Sequence, residues 1–412
     1  MVEARGACEL GRDWFTTPRA ATGPACWMQG AAVPLEQGIA AAAQLLCDAQ
    51  NPLVYGLTET TTEAQRLALS IADRLGGALD TATSSQHAPA ILALQGVGKV
   101  TCTLGEIQNR SDLIIFWGTN VVETRPRFVS KYAEAEGMFV PRGRADRTIV
   151  VIDVARTATA DQADLFLQIK PGCDFEALWT LRALAKRVQL DAKQVIAQTG
   201  VALSAWTDLM EKMQAARFGA FCYGSGLTQT RTPAASCEAL FLLTREMNGV
   251  TRFVVTSVGA RGNPIGADNA VAWQTGFPFA VNFNRGYPRY SPGEYTITES
   301  LRRGEIDAAL VIGADPLTQL PADAAARLRK FPLVVIGSQP SATRDAAQIA
   351  FATATYGIHT PGTVYRLDGV PLRLRPALQS SLPSDVEVLT RLERQIQQIS
   401  RNNGAARGAI AG

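Results

Sequence analysis

Two histidines, seven cysteines and one arginine-rich stretch are the side chains from which this chain could build a reactive or binding centre. His87 and His359 lie in distant parts of the sequence. No histidine pair shares a helix face, so zinc or non-haem iron sites built on two or three imidazoles are disfavoured. The cysteines stand at 8, 26, 47, 102, 173, 222 and 237, with no Cys-x-x-Cys pair and an odd total. They read as reduced, mostly buried thiols. Cys102 shares a stretch with His87, but Val-Thr-Cys-Thr-Leu has the pattern of a short buried strand, where a thiol is inert. His87 reads as a hydrogen-bonded turn residue or, alternatively, as a lone acid–base group. Arg125, Arg127, Lys131, Arg142, Arg144 and Arg147 form either a solvated face with ordinary ion pairs or a patch for an anionic partner. Nucleotide fingerprints are missing: Tyr223-Gly224-Ser225-Gly226 lacks the third glycine of Gly-x-Gly-x-x-Gly, and there is no Walker sequence.

His87 lies in the stretch at 80–105, DTATSSQHAPAILALQGVGKVTCTLG, which reads as a loop after the strand-like Gly77-Ala78-Leu79. Open α/β sheets hold ligands at such strand ends. Around it, helical and strand patterns alternate. Residues 33–49 carry Leu35, Ile39, Leu45 and Leu46 on helical spacing. Leu53-Val54-Tyr55-Gly56 is a short buried strand, and 58–75 is a helix that Gly76-Gly77 stops. The apolar run at 113–117 is a strand buried on both faces, and 148–153 is the next strand. Further strands are expected at 164–169, 221–223, 253–257, 308–312 and 333–336, with helices between them, a βαβ rhythm that implies parallel sheets. Residues 124–135 should be helical, 259–294 a long binding or partner loop, and 382–401 one amphipathic helix. Residues 104–126 and 301–321 share a helix end, an acid, an apolar strand, Gly-x-(Asn/Asp) and a proline. Two copies of one unit suggest two Rossmann-like lobes in a doubly wound α/β chain.

A length of 412 residues accommodates two or three domains. With 47% hydrophobic and 19% charged residues the chain is an ordinary packed protein, and a net charge of +3 argues against a dedicated nucleic-acid binder. No apolar run approaches the roughly 20 residues of a membrane helix. The amino terminus, MVEARGACELGRDWF, lacks the hydrophobic segment of a secretory signal. A cytoplasmic chain with no membrane or nucleic-acid partner is expected.

Several stretches in order, among them NPLVYGLTETTTEAQ, TLGEIQNRSDLIIFWGTN, YGSGLTQTR and GTVYRLDGVPL, resemble the molybdopterin-dependent oxidoreductases, and within them the B subunit of formylmethanofuran dehydrogenase. The resemblance runs from about residue 35 to 378. It implies two Rossmann-like doubly wound parallel-sheet lobes, with 31–85 and 217–356 forming one and 86–216 inserted as the other, flanked by an arm at 1–30 and an extension at 357–412. It also implies strand-end loops for a pterin guanine dinucleotide, matched here by Gly118, Asn120, Asp153, Arg156, Thr157, Pro171, Gly172 and Asp174. An acid can pair with a purine edge, and glycine lets backbone approach phosphate closely.

The departures carry more weight. The family holds a [4Fe–4S] centre in an amino-terminal cysteine cluster, whereas Cys8, Cys26 and Cys47 here are too widely spaced for one, so the Fe–S domain is expected to be missing. The family's metal ligand is a Cys or selenocysteine directly before a His. This chain has Gln86 before His87, and an amide is a poor ligand for a metal that wants anionic sulfur. Arg261 falls at the family's active-site arginine. Gln86, His87 and Arg261 therefore read as a vestigial site without metal, and the dinucleotide positions as vestigial too. That pattern resembles the branch of the family found in the formyltransferase/hydrolase complexes of methylotrophic bacteria. The branch implies a non-catalytic platform in formaldehyde-to-formate metabolism. Its partners would be an amidohydrolase-like, zinc-bearing A subunit, a C-type subunit and a formyltransferase subunit, and the complex would use methylofuran and tetrahydromethanopterin. The alternative is an active molybdopterin-dependent dehydrogenase subunit. The basic residues at 125–147 are a further candidate, for the glutamate tail of the carrier.

Overall fold

The computed structural model of the protein describes residues 7–16, 22–259 and 261–410. Ten strands carry its parallel sheets: β1 (Pro52–Gly56), β2 (Ala78–Thr81), β3 (Leu113–Trp117), β4 (Thr148–Asp153), β5 (Leu165–Gln168), β6 (Gly219–Tyr223), β7 (Phe253–Ser257), β8 (Ala308–Ile312), β9 (Leu333–Gly337) and β10 (Ile349–Ala352). The chain divides into two compact units. One comprises Met1–Ser84, Arg261–Arg366 and Pro371–Gly412, the other Ser85–Ala260 with Leu367–Val370.

In the first unit β2, β1, β8, β9 and β10 lie side by side and parallel. Short antiparallel strands extend both edges, Val281–Asn282 against β2 and Cys26–Met28 against β10. The chain starts in the middle, at β1, steps to β2, and later resumes on the other flank of β1 with β8. This reversal is a topological switch point, the place at which open α/β sheets hold their ligands. Every residue of β1 and β8 is buried, which is why both read as uninterrupted apolar runs. One face is covered by the helices Leu35–Asp48, Thr62–Leu75 and Asp385–Ile410, whose Ile39, Leu46, Leu69, Val388, Leu392 and Ile396 join one core. Thr61 caps the Thr62–Leu75 helix by accepting from the Ala64 amide, and Gly76 ends it at φ +63°.

The second unit has the order β5-β4-β3-β6-β7, all parallel, with its own switch point between β3 and β6. The helices Asp174–Ala185, Leu203–Ala215 and Pro233–Met247 cover one face with Leu178, Leu181, Trp206, Leu240 and Leu243. Thr103 and Glu106 form a reciprocal capping box at the Leu104–Arg110 helix on the other face.

Three expectations are corrected. The stretch at 80–105 is not a loop, since Ser84–Val97 is a helix. Pro89 removes one backbone bond, and the Ala- and Leu-rich run beyond it carries the helix on. The inserted lobe does not end at 216. β6 and β7 pair with β3, and the chain returns to the first unit only at Arg261. The long segment at 259–294 contains the Pro264–Thr275 helix, started by proline and ended by Gly276 in the left-handed region. The amino-terminal stretch contains a helix, Glu9–Thr16, while residues 1–6 and 17–21 lie outside the described residues. Among the described residues no helix is long and apolar enough to cross a membrane.

Candidate functional site at the strand ends

In the second unit, β3 and β6 end in register at Trp117 and Tyr223. Gly118 follows at φ +57°, and a Cβ there would stand 2.9 Å from the Leu227 nitrogen and 3.0 Å from Gly226. Only glycine fits so close an approach. The Gly226 amide donates to the Gly118 carbonyl (3.0 Å) and the Gly224 amide to the Trp117 carbonyl (3.0 Å), so the two loops are bonded to each other. Asn120 accepts from the Thr159 amide (3.3 Å) and hydroxyl (2.9 Å) through one oxygen. Asp174 is buried at the start of its helix. Its two oxygens accept from the Trp117 indole (2.8 Å) and the Thr230 hydroxyl (3.0 Å). Burial pushes its carboxyl above the usual range against these bonds. Asp153, at the end of β4, is raised by burial and further by the charge of Asp174, and accepts from the Val154 amide (2.7 Å). Gly172 turns the chain at φ +74°. Arg156 forms an exposed ion pair with Asp161, and Thr157 accepts from the Ala160 amide. The residues read from the sequence thus share one sheet edge, with most of their polar groups bonded to this chain.

The first unit has the matching edge. A Cβ on Gly56 would stand 2.3 Å from the Ile312 carbonyl oxygen, and one on Gly313 2.8 Å from that of Glu59. Beside this crossing lies a cavity of about 670 Å³, walled by Glu59, Arg261, Asp315, Ser338, Tyr356 and, from the amino-terminal helix, Trp14. The Tyr356 hydroxyl donates to Glu59 (2.8 Å), and the Trp14 ring meets Tyr356 edge-on at 5.6 Å. Asp315 accepts from the Thr343 amide (2.9 Å) and hydroxyl (2.5 Å), which hold its carboxyl below the usual range despite partial burial. Arg261 is the one expected site residue at this cavity. Glu59, Asp315 and Tyr356 were missed, although the Gly-x-(Asn/Asp) repeat pairs Asp315 with Asn120.

Gln86 and His87 are half-buried in the first turn of the Ser84–Val97 helix. That helix is tied down by Asp80, which is fully buried and accepts from Thr81 N (2.9 Å), Ala280 N (3.2 Å), Ile297 N (2.9 Å) and the Ser84 hydroxyl (3.0 Å). Burial outweighs these bonds and raises Asp80 to about 6. Cys102 lies in an extended segment rather than a strand, and burial pushes its thiol to about 12, which leaves no thiolate at neutral pH. Of the basic stretch, only Arg147 is buried, while Arg127, Lys131 and Arg142 stay exposed. Arg147 donates to the carbonyls of Gln108, Ser111, Ala133 and Ala135, while Arg144 pairs with Asp164 and Arg142 with Asp146. The region around it is not one regular helix, because Val129–Ala133 forms a π turn.

The group that the resemblance implies, a pterin-held molybdenum or tungsten, meets a donor set that does not suit it. The ligand position is the neutral amide Gln86, a poor partner for a metal that wants anionic sulfur.

No protein-family profile matches the chain. It is 37% identical over 371 residues to the B subunit of the tungsten-containing formylmethanofuran dehydrogenase 2 of Methanocaldococcus jannaschii, a match spanning 89% of this chain and 84% of that one. The chain belongs to the family of formylmethanofuran dehydrogenase B subunits. Within reach of this family stands the B subunit of the formyltransferase/hydrolase complex Fhc of Methylorubrum extorquens, 26% identical over 294 residues, covering 71% of this chain and 75% of that one. The crystal structure of the formyltransferase/hydrolase complex from the same organism, in complex with methylofuran, contains a chain of the same fold. Its TM-score is 0.77 at 23% identity, over 91% of this chain and 99% of that one. The family's fold is the molybdopterin-oxidoreductase arrangement of two doubly wound lobes.

Proposed function

We propose that this chain is a structural subunit of a formyltransferase/hydrolase-type complex in one-carbon metabolism and performs no redox chemistry itself. One observation carries the reading: Gln86 occupies the position directly before His87 where the family has an anionic sulfur ligand. The wide spacing of Cys8, Cys26 and Cys47 supports it, since electrons need a relay as well as a metal. Formyl transfer then belongs to a formyltransferase subunit, and hydrolysis to a zinc-bearing, amidohydrolase-like A subunit, with a C-type subunit completing the assembly. Methylofuran and tetrahydromethanopterin are the carriers of the complex rather than ligands of this chain. The chain acts in the cytoplasm.

A second reading, an active molybdopterin-dependent dehydrogenase subunit, is favoured by one fact: the identity to the tungsten-containing relative is 37%, against 26% to the Fhc relative. The complex purified from its native host separates the two. The structural reading expects formyl transfer to and from methylofuran with no viologen-linked oxidation of the formylated carrier. Viologen reduction at the rate of formyl turnover would establish the dehydrogenase instead.

A further inference from the structure

The strand-end cavity of the first unit takes part of its wall from the amino-terminal helix. Leu10, Asp13 and Trp14 of Glu9–Thr16 line its volume of about 670 Å³ together with Gly313 and Gly337 from the ends of β8 and β9. This helix is held differently from those that cover the sheet. The Thr62–Leu75 helix buries seven of its residues, whereas Glu9–Thr16 fully buries none of the side chains described for it. Leu10 and Trp14 stay half-buried, and Phe15 is 38% exposed. A helix of 8 residues does not persist in water by itself, so this one is formed only while it is docked.

One docking contact is aromatic. The Trp14 ring meets Tyr356 edge-on at 5.6 Å, and Tyr356 is fixed by donating its hydroxyl to Glu59 (2.8 Å). Such a pair adds modestly to the little area that the helix covers, so lifting the helix off is far easier than opening the sheet. A fixed wall would also pack against the sheet end at the density of a protein interior. This helix instead borders a cavity large enough for a small ligand, at the place where open α/β sheets hold one.

We propose that the Glu9–Thr16 helix is a displaceable cover of this cavity, latched by Trp14 on Tyr356, and that its local unfolding controls what reaches Thr58, Glu59 and Asp315. Two measurements on the full chain test it together: native-state hydrogen exchange, and labelling of a Thr58→Cys variant with fluorescein maleimide. Thr58 is 8% exposed and lines the cavity, so a thiol there reports entry. The amides of the helix should exchange by local opening, at a rate that sub-denaturing urea leaves unchanged, while those of β8 should follow urea through global unfolding. Trp14→Ala should raise the helix exchange and the maleimide labelling together, each by about tenfold for the loss of one aromatic pair, with no shift in the urea midpoint. Helix amides that exchange only together with β8 would make the helix a fixed wall and overturn the proposal. Labelling of Thr58→Cys that Trp14→Ala leaves unchanged would overturn it as well, because the helix would then open without controlling entry.

Discussion

Asp80→Asn separates two opposed effects at the residue that anchors the Gln86–His87 helix. The carboxylate accepts four hydrogen bonds, two at each oxygen: Thr81 N and Ala280 N at Oδ1, Ser84 Oγ and Ile297 N at Oδ2. Asparagine replaces one oxygen by an NH2 group and sets it against two donors. At about 1–3 kcal/mol for each buried donor left unpaired, the substitution costs about 2–6 kcal/mol. Against this stands the charge. The carboxyl titrates at about 6 in the folded protein and at 3.8 in the unfolded chain. At about 1.4 kcal/mol per pH unit, the difference is about 3 kcal/mol. A raised carboxyl stabilises the fold fully below 3.8, and that contribution is lost as pH rises through 6. Asparagine carries no such term, so the stability gap between wild type and variant should be widest near pH 4 and narrow by about 3 kcal/mol towards pH 7.5. Urea denaturation of both proteins across that range measures it, and the subtraction removes the other carboxylates. Parallel stability curves between about pH 4 and 7.5 would refute the reasoning.

Three further outcomes follow from single contacts. Arg147→Ala strips four carbonyls of their buried donor and should lower stability by about 3–5 kcal/mol in chemical denaturation, whereas a change at the exposed Arg127 should cost under about 0.5 kcal/mol. Gly118→Ala must hold φ +57° with its Cβ 2.9 Å from the Leu227 nitrogen, and should cost about 1–3 kcal/mol by the same assay. Cys102 and Cys237, each pushed up to about 12 by burial, should resist a thiol reagent at about pH 8 in the native protein and react at once in denaturant.

The strands were legible wherever a run is buried on both faces. Leu113–Trp117 and Ala308–Ile312 match their expected bounds because nothing but apolar residues can occupy such a position, and Thr148–Asp153 matches through its buried Ile149–Ile152 centre. The lobe boundary was not legible. β6 is apolar and fully buried whichever sheet it joins, so its pairing with β3 is a long-range choice that leaves no local trace. The small polar residues at 81–88 misled for the opposite reason, since they carry no helical pattern of their own yet lead into the Ser84–Val97 helix. At the site, Gly118, Asn120, Asp153 and Asp174 were singled out by the resemblance to the molybdopterin-dependent oxidoreductases rather than by their spacing, and in the structure they lie at strand ends or at the start of the following helix. What they bond was hidden. Asn120 holds the amide and hydroxyl of Thr159, and Asp315 does the same with Thr343 in the other unit. The repeat seen in the sequence is thus a loop-fastening device as much as a ligand position.

The central claim concerns Gln86, and the metal content of the complex tests it most directly. The intact assembly, purified from cells grown with both molybdate and tungstate, should contain zinc but neither molybdenum nor tungsten in stoichiometric amount, and release no fluorescent pterin on acid oxidation. About one molybdenum or tungsten per copy of this chain, with pterin to match, would contradict the account.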